Sequence, residues 1–356
     1  MIYVFVLAIC QRAFTGGGEV LITIKDIAKL AGVSTTTVSK VINNYPDIGR
    51  ETRDRVIKIM KETKYRPNAI ARSLSTNKSN SIGVFMNYNP SKGLHHLFFH
   101  EVLYGLETNL GQKGYDFIYF SDLKWKKSCD YLAKCLNRHI DGVILMGITV
   151  DNHIKELLKS DIPTVFLDLD LTGDNATYIT SNNLAGAAKV VDYFCQLGHK
   201  KIGMIAGLEN TMPTKYRTEG FNQCIREHNL DSRKEWKINT FYSEEGGYSA
   251  MNELLKQEEL PTAFFCHSDM IAIGAMKAIK NAGYKVPDDF SIVGFDDLGI
   301  SSYMTPNLTT IRQDSYLMGD KAANLLLEMI NNPEGKVSPQ ILPVELIVRE
   351  SCKKID

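Results

Sequence analysis

Between Ile22 and Ser75 the chain runs ITIKDIAKLAGVSTTTVSKVINNYPDIGRETRDRVIKIMKETKYRPNAIARSLS. Its punctuation leaves few options for the backbone. Thr23 is an N-cap residue with Asp26 three positions on, an acidic variant of the capping box. Ile27, Leu30 and Ala31 follow at helical spacing, and Gly32 then supplies a left-handed turn at no steric cost. Ser34 caps a second helix whose Val38, Val41 and Ile42 face inward, while Thr35, Thr36, Ser39 and Lys40 face out. Helix, glycine turn and helix form the helix-turn-helix pattern, in which the second helix enters the DNA major groove. Two helices of an ordinary bundle would look similar, so charge has to separate the readings.

The whole chain carries 41 basic and 41 acidic residues, and this neutrality hides a division. Residues 21–80 hold 12 Lys/Arg against 5 Asp/Glu, whereas residues 81–356 hold 28 against 35. A compact basic module on an acidic body is the footprint of phosphate binding.

Beyond the short polar link at 76–80, apolar runs alternate with amphipathic segments. Strands are expected at Ser81–Met86, Tyr115–Phe120, Asp141–Met146 and Pro163–Leu167. Helices are expected at Leu94–Gln112, Lys124–Asn137 and Asn152–Leu158. The alternation restarts after Thr180, with helices at Leu184–Gln196, Tyr216–His228, Gly246–Gln257, Met270–Asn281 and Ser315–Ile330. Strands at Lys201–Ile205, Ala263–Cys266 and Ser291–Phe295 lie between them. Two such runs predict an α/β body of two doubly wound parallel-sheet lobes with a cleft between them.

TIKDIAKLAGVSTTTVSKVIN followed by TRDRVIKIMKETKYRPNAIARSL resembles the LacI/GalR (lactose-repressor) family of bacterial transcription regulators. The resemblance continues through Asn183-Leu-Ala-Gly-Ala, Leu197-Gly-His-Lys-Lys-Ile-Gly, Ile292-Val-Gly-Phe-Asp-Asp and Leu308-Thr-Thr-Ile-Arg-Gln, covering everything but the first 20 residues. It implies an all-α helix-turn-helix DNA-binding domain at 21–67, a hinge helix and linker at 68–80, and a periplasmic-binding-protein-like effector and dimerisation domain at 81–356. One lobe would span about 81–180 with 309–338 and the other 181–308 with 339–356. Residues 1–20 are expected to be a non-native extension, because Gly16-Gly17-Gly18-Glu19 resembles a translated ribosome-binding stretch; Val20 or Leu21 would then be the start.

By the same resemblance Thr35, Thr36 and Lys40 read bases. Lysine stands where arginine is more usual, which substitutes a point charge for a rigid fork. Thr37, Ser39, Asn43, Tyr45 and Arg53 are expected at phosphates. In the hinge, Asn68 is expected at the DNA, Arg72 would follow the backbone, and Leu74 would wedge between base pairs in the minor groove. The effector cleft would be lined by His96, Phe98, Asp168, Arg217, Tyr248, Ser268, Asp296, Gln313 and Ser315. Planar polar groups suit vicinal hydroxyls and an aromatic face suits a sugar ring, so a sugar is the expected effector. Partners are a near-palindromic operator and a second copy of the chain. The alternative within the family is a global carbon-catabolite regulator with a phosphorylated phosphocarrier protein as corepressor.

Other classes fare worse. Neither G-x-G-x-x-G nor G-x-x-x-x-G-K-[ST] occurs, so a dehydrogenase or kinase on this fold has no phosphate cradle, and no catalytic residues or cofactors are expected. His96 and His100 are four apart, a metal-compatible helical spacing, yet no third ligand is fixed by spacing and no metal is expected there. The seven cysteines are scattered without a C-x-x-C, which argues for reduced thiols in a cytoplasm. MIYVFVLAIC is apolar but too short to span a bilayer, and no membrane partner is expected.

Overall fold

The computed structural model describes residues 22–65, 78–86, 96–120, 130–148 and 150–355. The chain divides into two units, residues 1–79 and 80–356, each with its own core.

The first unit is a three-helix cluster: α1 (Ile24–Ala31), α2 (Thr35–Ile42) and α3 (Arg50–Glu62). The Thr23 backbone N–H and hydroxyl both donate to Asp26 Oδ2, at 2.9 and 2.7 Å, so the acidic capping box forms as expected. Gly32 takes φ +64°, and the next N–H, of Val33, returns to Ala28 O at 3.0 Å. Ser34 Oγ accepts from Thr37 N at 3.0 Å and starts α2. Ile27, Val38 and Val56, one from each helix, are fully buried together.

The second unit contains two six-stranded sheets. The first is built from β1 (Ser81–Met86), β2 (Asp116–Phe120), β3 (Gly142–Met146), β4 (Thr164–Leu167), β5 (Ala176–Ser181) and β11 (Gln340–Leu342), in the order β11-β5-β4-β3-β1-β2. Its helices are α4 (Leu97–Gln112), α5 (Tyr131–Asn137), α6 (Asn152–Leu158) and α11 (Ser315–Asn331). The second sheet holds β6 (Ile202–Ala206), β7 (Lys237–Asn239), β8 (Ala263–Cys266), β9 (Ser291–Asp296), β10 (Thr309–Gln313) and β12 (Val344–Ile347), in the order β12-β10-β9-β8-β6-β7. Its helices are α7 (Asn183–Gln196), α8 (Met212–Glu227), α9 (Glu244–Leu254) and α10 (Asp269–Asn281). The strand pairs are parallel except β10 with β12.

Side chains alternate across each sheet and divide between two cores. Val84, Ile144, Met146 and Val165 enter one core of the first sheet, while Phe85, Val143, Leu145 and Phe166 enter the other. In the second sheet Met204, Phe265 and Val293 face one core, and Ile205, Phe264 and Ile292 face its opposite. That period-2 division, with apolar residues on both faces, is why these strands read as continuous hydrophobic runs.

The chain crosses between the sheets three times, after Ser181, Gln313 and Leu342. Two of the expected boundaries move. Thr309–Gln313 pairs in the second sheet, beside β9, because its backbone continues that parallel ladder. Gln340–Leu342 pairs with β5 in the first. The helix between them does belong to the first lobe. Met318, Ala322 and Leu326 of α11 bury against that sheet, and α11 packs closely on α4. The approach depends on glycine: a Cβ on Gly105 would strike the Tyr316 carbonyl, and one on Gly319 the Val102 carbonyl.

Among the described residues the helices expected from pattern are all present, with ends shifted by a few positions; Leu94, Lys124 and their neighbours lie outside those residues. The short strands β5, β7, β10, β11 and β12 were not anticipated. No helix among the described residues is long and apolar enough to cross a membrane.

Candidate functional site

On the first unit, Thr35 and Thr36 are exposed in the first turn of α2, and Lys40 lies in its last turn. Lys40 Nζ is 2.5 Å from Asp47 Oδ2, and the ammonium holds that carboxyl below its usual range chiefly by this hydrogen bond. Thr37 turns inward to Ser34, their hydroxyls 2.9 Å apart, and Asn43 Nδ2 reaches Ser39 Oγ at 3.4 Å. Tyr45 is exposed in the following loop. Arg53, on α3, donates to Asn44 Oδ1 at 3.0 Å and to Tyr45 O at 2.5 Å, so it braces the loop that follows α2. Asn68, Arg72 and Leu74 lie outside the described residues, as do residues 1–20.

In the second unit a cavity opens between the two sheets. Loops at the carboxyl ends of parallel strands build it, the usual place for ligands in open α/β sheets. Gly147 and Ile148 follow β3, Asp168 follows β4, Tyr242 follows β7, Asp296 ends β9 and Gln313 ends β10. Thr211, Pro213 and Arg217 come from the start of α8, and His96, Phe98 and Phe99 from the start of α4.

Asp168 and Asp296 both sit at positive φ, +57° and +125°. Such backbone is uncommon outside glycine and clusters at ligand sites. Burial raises both carboxyls above the usual range, and the charge of Arg217 pulls each back down. Gln313 Nε2 donates to Asp296 Oδ1 at 2.6 Å, and Thr180 Oγ1 donates to Asp168 Oδ1 at 2.6 Å. Gln313 Oε1 is buried with no hydrogen-bond partner. The next residue in sequence, Asp297, is occupied elsewhere, accepting from Arg312 Nε at 2.7 Å and Arg349 Nη2 at 2.5 Å.

Arg217 is 2% exposed and its guanidinium carbon sits over Phe295, 3.6 Å from the ring centroid. Its Nε donates to Asn183 Oδ1 at 2.7 Å, and Nη1 donates to the His267 carbonyl. Asn183 Nδ2 in turn donates to Thr180 Oγ1 at 3.1 Å. A continuous polar chain therefore runs from Arg217 through Asn183 and Thr180 to Asp168, across the first crossing between the lobes.

Of the nine residues anticipated from sequence, the cavity gathers His96, Phe98, Asp168, Arg217, Asp296 and Gln313. Tyr248, Ser268 and Ser315 are not on its wall. Tyr248 lies within α9, where its hydroxyl accepts from Asn281 Nδ2 at 3.3 Å. Ser268 is the cap of α10, accepting from Ile271 N at 3.2 Å. Ser315 is the first residue of α11, a helix capped by Asp314. The tyrosine on the wall is Tyr242, with its hydroxyl 2.7 Å from Thr214 Oγ1. Gly207 marks it: a Cβ there would overlap the Tyr242 ring, so a glycine directly after a strand was the available signal.

Residues 23–68 match the pattern of bacterial regulatory proteins of the lacI family, and residues 191–352 match a periplasmic binding protein-like domain. The probable HTH-type transcriptional repressor ExuR of Bacillus subtilis (strain 168) is 37% identical over 94% of this chain and 99% of its own length. This chain belongs to the lacI family. Its fold is similar to the lac repressor dimer bound to operator and the anti-inducer ONPF, with TM-score 0.80, 26% identity, and coverage of 93% of this chain and 99% of that one. It is also similar to the transcriptional regulator CelR in complex with cellobiose, at TM-score 0.71, 25% identity and the same coverage. As a lacI-family member it is a DNA-binding transcriptional repressor with an effector-binding domain, and not an enzyme.

Proposed function

We propose that this repressor acts in the cytoplasm as a homodimer on a near-palindromic operator, and that a small sugar in the inter-lobe cavity controls its grip on DNA. The cavity wall carries the argument. Asp168, Asp296 and the unpaired Gln313 Oε1 are acceptors for hydroxyl protons, Arg217 offers donors, and Phe98 and Tyr242 flank them with apolar faces. A polyol ring satisfies all of these together, whereas a flat apolar ligand would strand the carboxylates. The similarity to a cellobiose complex supports the same class.

At the DNA, Thr35, Thr36 and Lys40 are the base readers, and Thr37, Ser39, Asn43, Tyr45 and Arg53 set the register against phosphates or hold the loop that does. The hinge segment with Asn68, Arg72 and Leu74 inserts in the minor groove. A single reading helix of this length contacts one half-site, so two copies related by a two-fold are required for tight specific binding.

The test is operator binding by fluorescence anisotropy, titrated against a panel of mono- and disaccharides. One or a few sugars should shift operator affinity several-fold. A panel without effect, combined with a phosphorylated phosphocarrier protein that does shift it, would replace the sugar reading.

A further inference from the structure

The second lobe carries a polar cluster on the far end of the helix pair that serves the cavity. Asp192 and Cys195 come from α7, Cys224 from α8, and His228 from the residue that ends α8. The i,i+3 and i,i+4 spacings put each pair on one helix face. Asp192 Oδ1 lies 2.6 Å from His228 Nε2 and 3.3 Å from Cys224 Sγ. On the other side of the same imidazole, Cys195 Sγ is 3.6 Å from Nδ1.

An oxygen, an imidazole nitrogen and a sulfur thus converge within 4.8 Å of one another. This is a borderline-soft donor set, suited to zinc and poor for calcium or magnesium, which require several oxygens. In a tetrahedral shell with bonds of about 2.0–2.3 Å, neighbouring ligand atoms stand roughly 3.3–3.5 Å apart. The Cys224–Asp192 pair is already at that spacing. The His228–Asp192 pair needs to open by about 0.7 Å, within reach of a carboxylate rotation on a surface helix. Access is provided too: Cys224 is buried, but the His228 and Asp192 side chains are 36% and 48% exposed.

Cys195 completes the arrangement. A metal-bound histidine engages its second ring nitrogen with a neighbouring acceptor, which fixes the tautomer. Cys195 Sγ is placed at that nitrogen, leaving the Nε2 lone pair for the ion. An ordinary ion pair between Asp192 and His228 explains two of these residues. It explains neither the thiol beside Asp192 nor the second thiol on the opposite nitrogen.

We propose that Asp192, Cys224 and His228 bind one Zn²⁺, with water as the fourth ligand and Cys195 orienting His228. The Cys224 proton leaves to solvent on binding. The ion ties α7 to α8 at their C-terminal ends, and the same two helices contribute Asn183 and Arg217 to the cavity network at their other ends. This holds whether or not the effector is a sugar.

The experiment uses full-length, tag-free, reduced protein stripped with chelator and titrated with Co²⁺. One equivalent should bind with thiolate-to-cobalt charge-transfer absorption and tetrahedral visible bands, be displaced by Zn²⁺, and raise the thermal midpoint. Cys224→Ser should lose the charge-transfer band, and the surface change His228→Ala should lose the tetrahedral bands even if Cys224→Ser folds poorly. Cys195→Ala should keep the spectrum but weaken binding about 10–100-fold. Cys135→Ser, a buried cysteine of the first lobe, should change nothing. Absence of stoichiometric binding, or a spectrum that survives His228→Ala, would overturn the site.

Discussion

Lys40 is paired with Asp47 at 2.5 Å, and that carboxylate competes with a guanine edge for the same ammonium. Asp47→Asn should therefore raise affinity for operator and for unrelated DNA together. Lys40→Ala should cost about 1–3 kcal/mol at one base pair per half-site and relax the preference there. Anisotropy titrations on singly substituted operators separate the two; an unchanged base preference in Lys40→Ala would mean the helix register is wrong. Arg217 behaves differently from a simple ligand fork. It holds Asn183 and the His267 carbonyl, so Arg217→Ala strands buried acceptors as well as emptying the cavity wall. It should lose about 3 kcal/mol or more of stability along with the effector response. Asp168→Asn, at a half-buried position on the cavity wall, should lose the response with little loss of stability in urea. The residues that the sequence made legible here are those inside fixed local phrases, such as Asp296 in GFDD. Tyr242 and Tyr248 lie six apart, and only the packing of Tyr242 against Gly207 tells which one reaches the cavity.

Among the elements, legibility followed the strength of the apolar pattern. Helices of 13–17 residues such as α10, α11 and α4 have enough turns for an apolar face to repeat, and their cores lie where the pattern put them. Strands β7, β11 and β12, of three or four residues, carry too little pattern to be distinguished from loop, whereas the equally short β4 and β8 stand out as continuous apolar runs. Gln340–Leu342 and Val344–Ile347 are separated only by Pro343, yet they join different sheets. Nothing in six or seven residues of sequence encodes that choice; it is made by β5 and β10, each lying at the end of its own sheet without them. The α4–α11 pair gives a sharper test of packing. With Gly319 against the Val102 carbonyl and Gly105 against that of Tyr316, the helices touch backbone to backbone. Gly319→Val should force them apart and destabilise the second unit by about 1–3 kcal/mol or more, while Gly111→Ala, at a site open to added volume, should be neutral or stabilising. Equal urea midpoints for the two variants would contradict the close crossing.

At the scale of the molecule the question is how a ligand in one unit alters the DNA affinity of another. The lobes are joined by three chain crossings, and the first of them carries the Arg217–Asn183–Thr180–Asp168 chain. Tyr216 adds a second link between lobes, its hydroxyl donating to Asp170 Oδ2 at 3.0 Å. A ligand held by Arg217 and Asp168 draws on groups from both lobes, so its binding energy differs between relative lobe positions. That difference is all a ligand can contribute to a switch. Thr180 is the test position, since its hydroxyl both donates to Asp168 and accepts from Asn183, and the residue itself does not line the cavity. Thr180→Val keeps the shape and removes both bonds. It should leave operator affinity of the ligand-free protein close to wild type and reduce the factor by which effector changes it. For a coupling of about 1–3 kcal/mol, the wild-type factor is roughly 5–150-fold. Linkage then demands a second result: operator must change effector affinity by the same factor, in wild type and in the variant alike. Four titrations decide it, effector with and without operator and operator with and without effector. A Thr180→Val protein with the full wild-type factor would show that the chain through the first crossing does not carry the signal, and the Tyr216–Asp170 link would become the next position to cut.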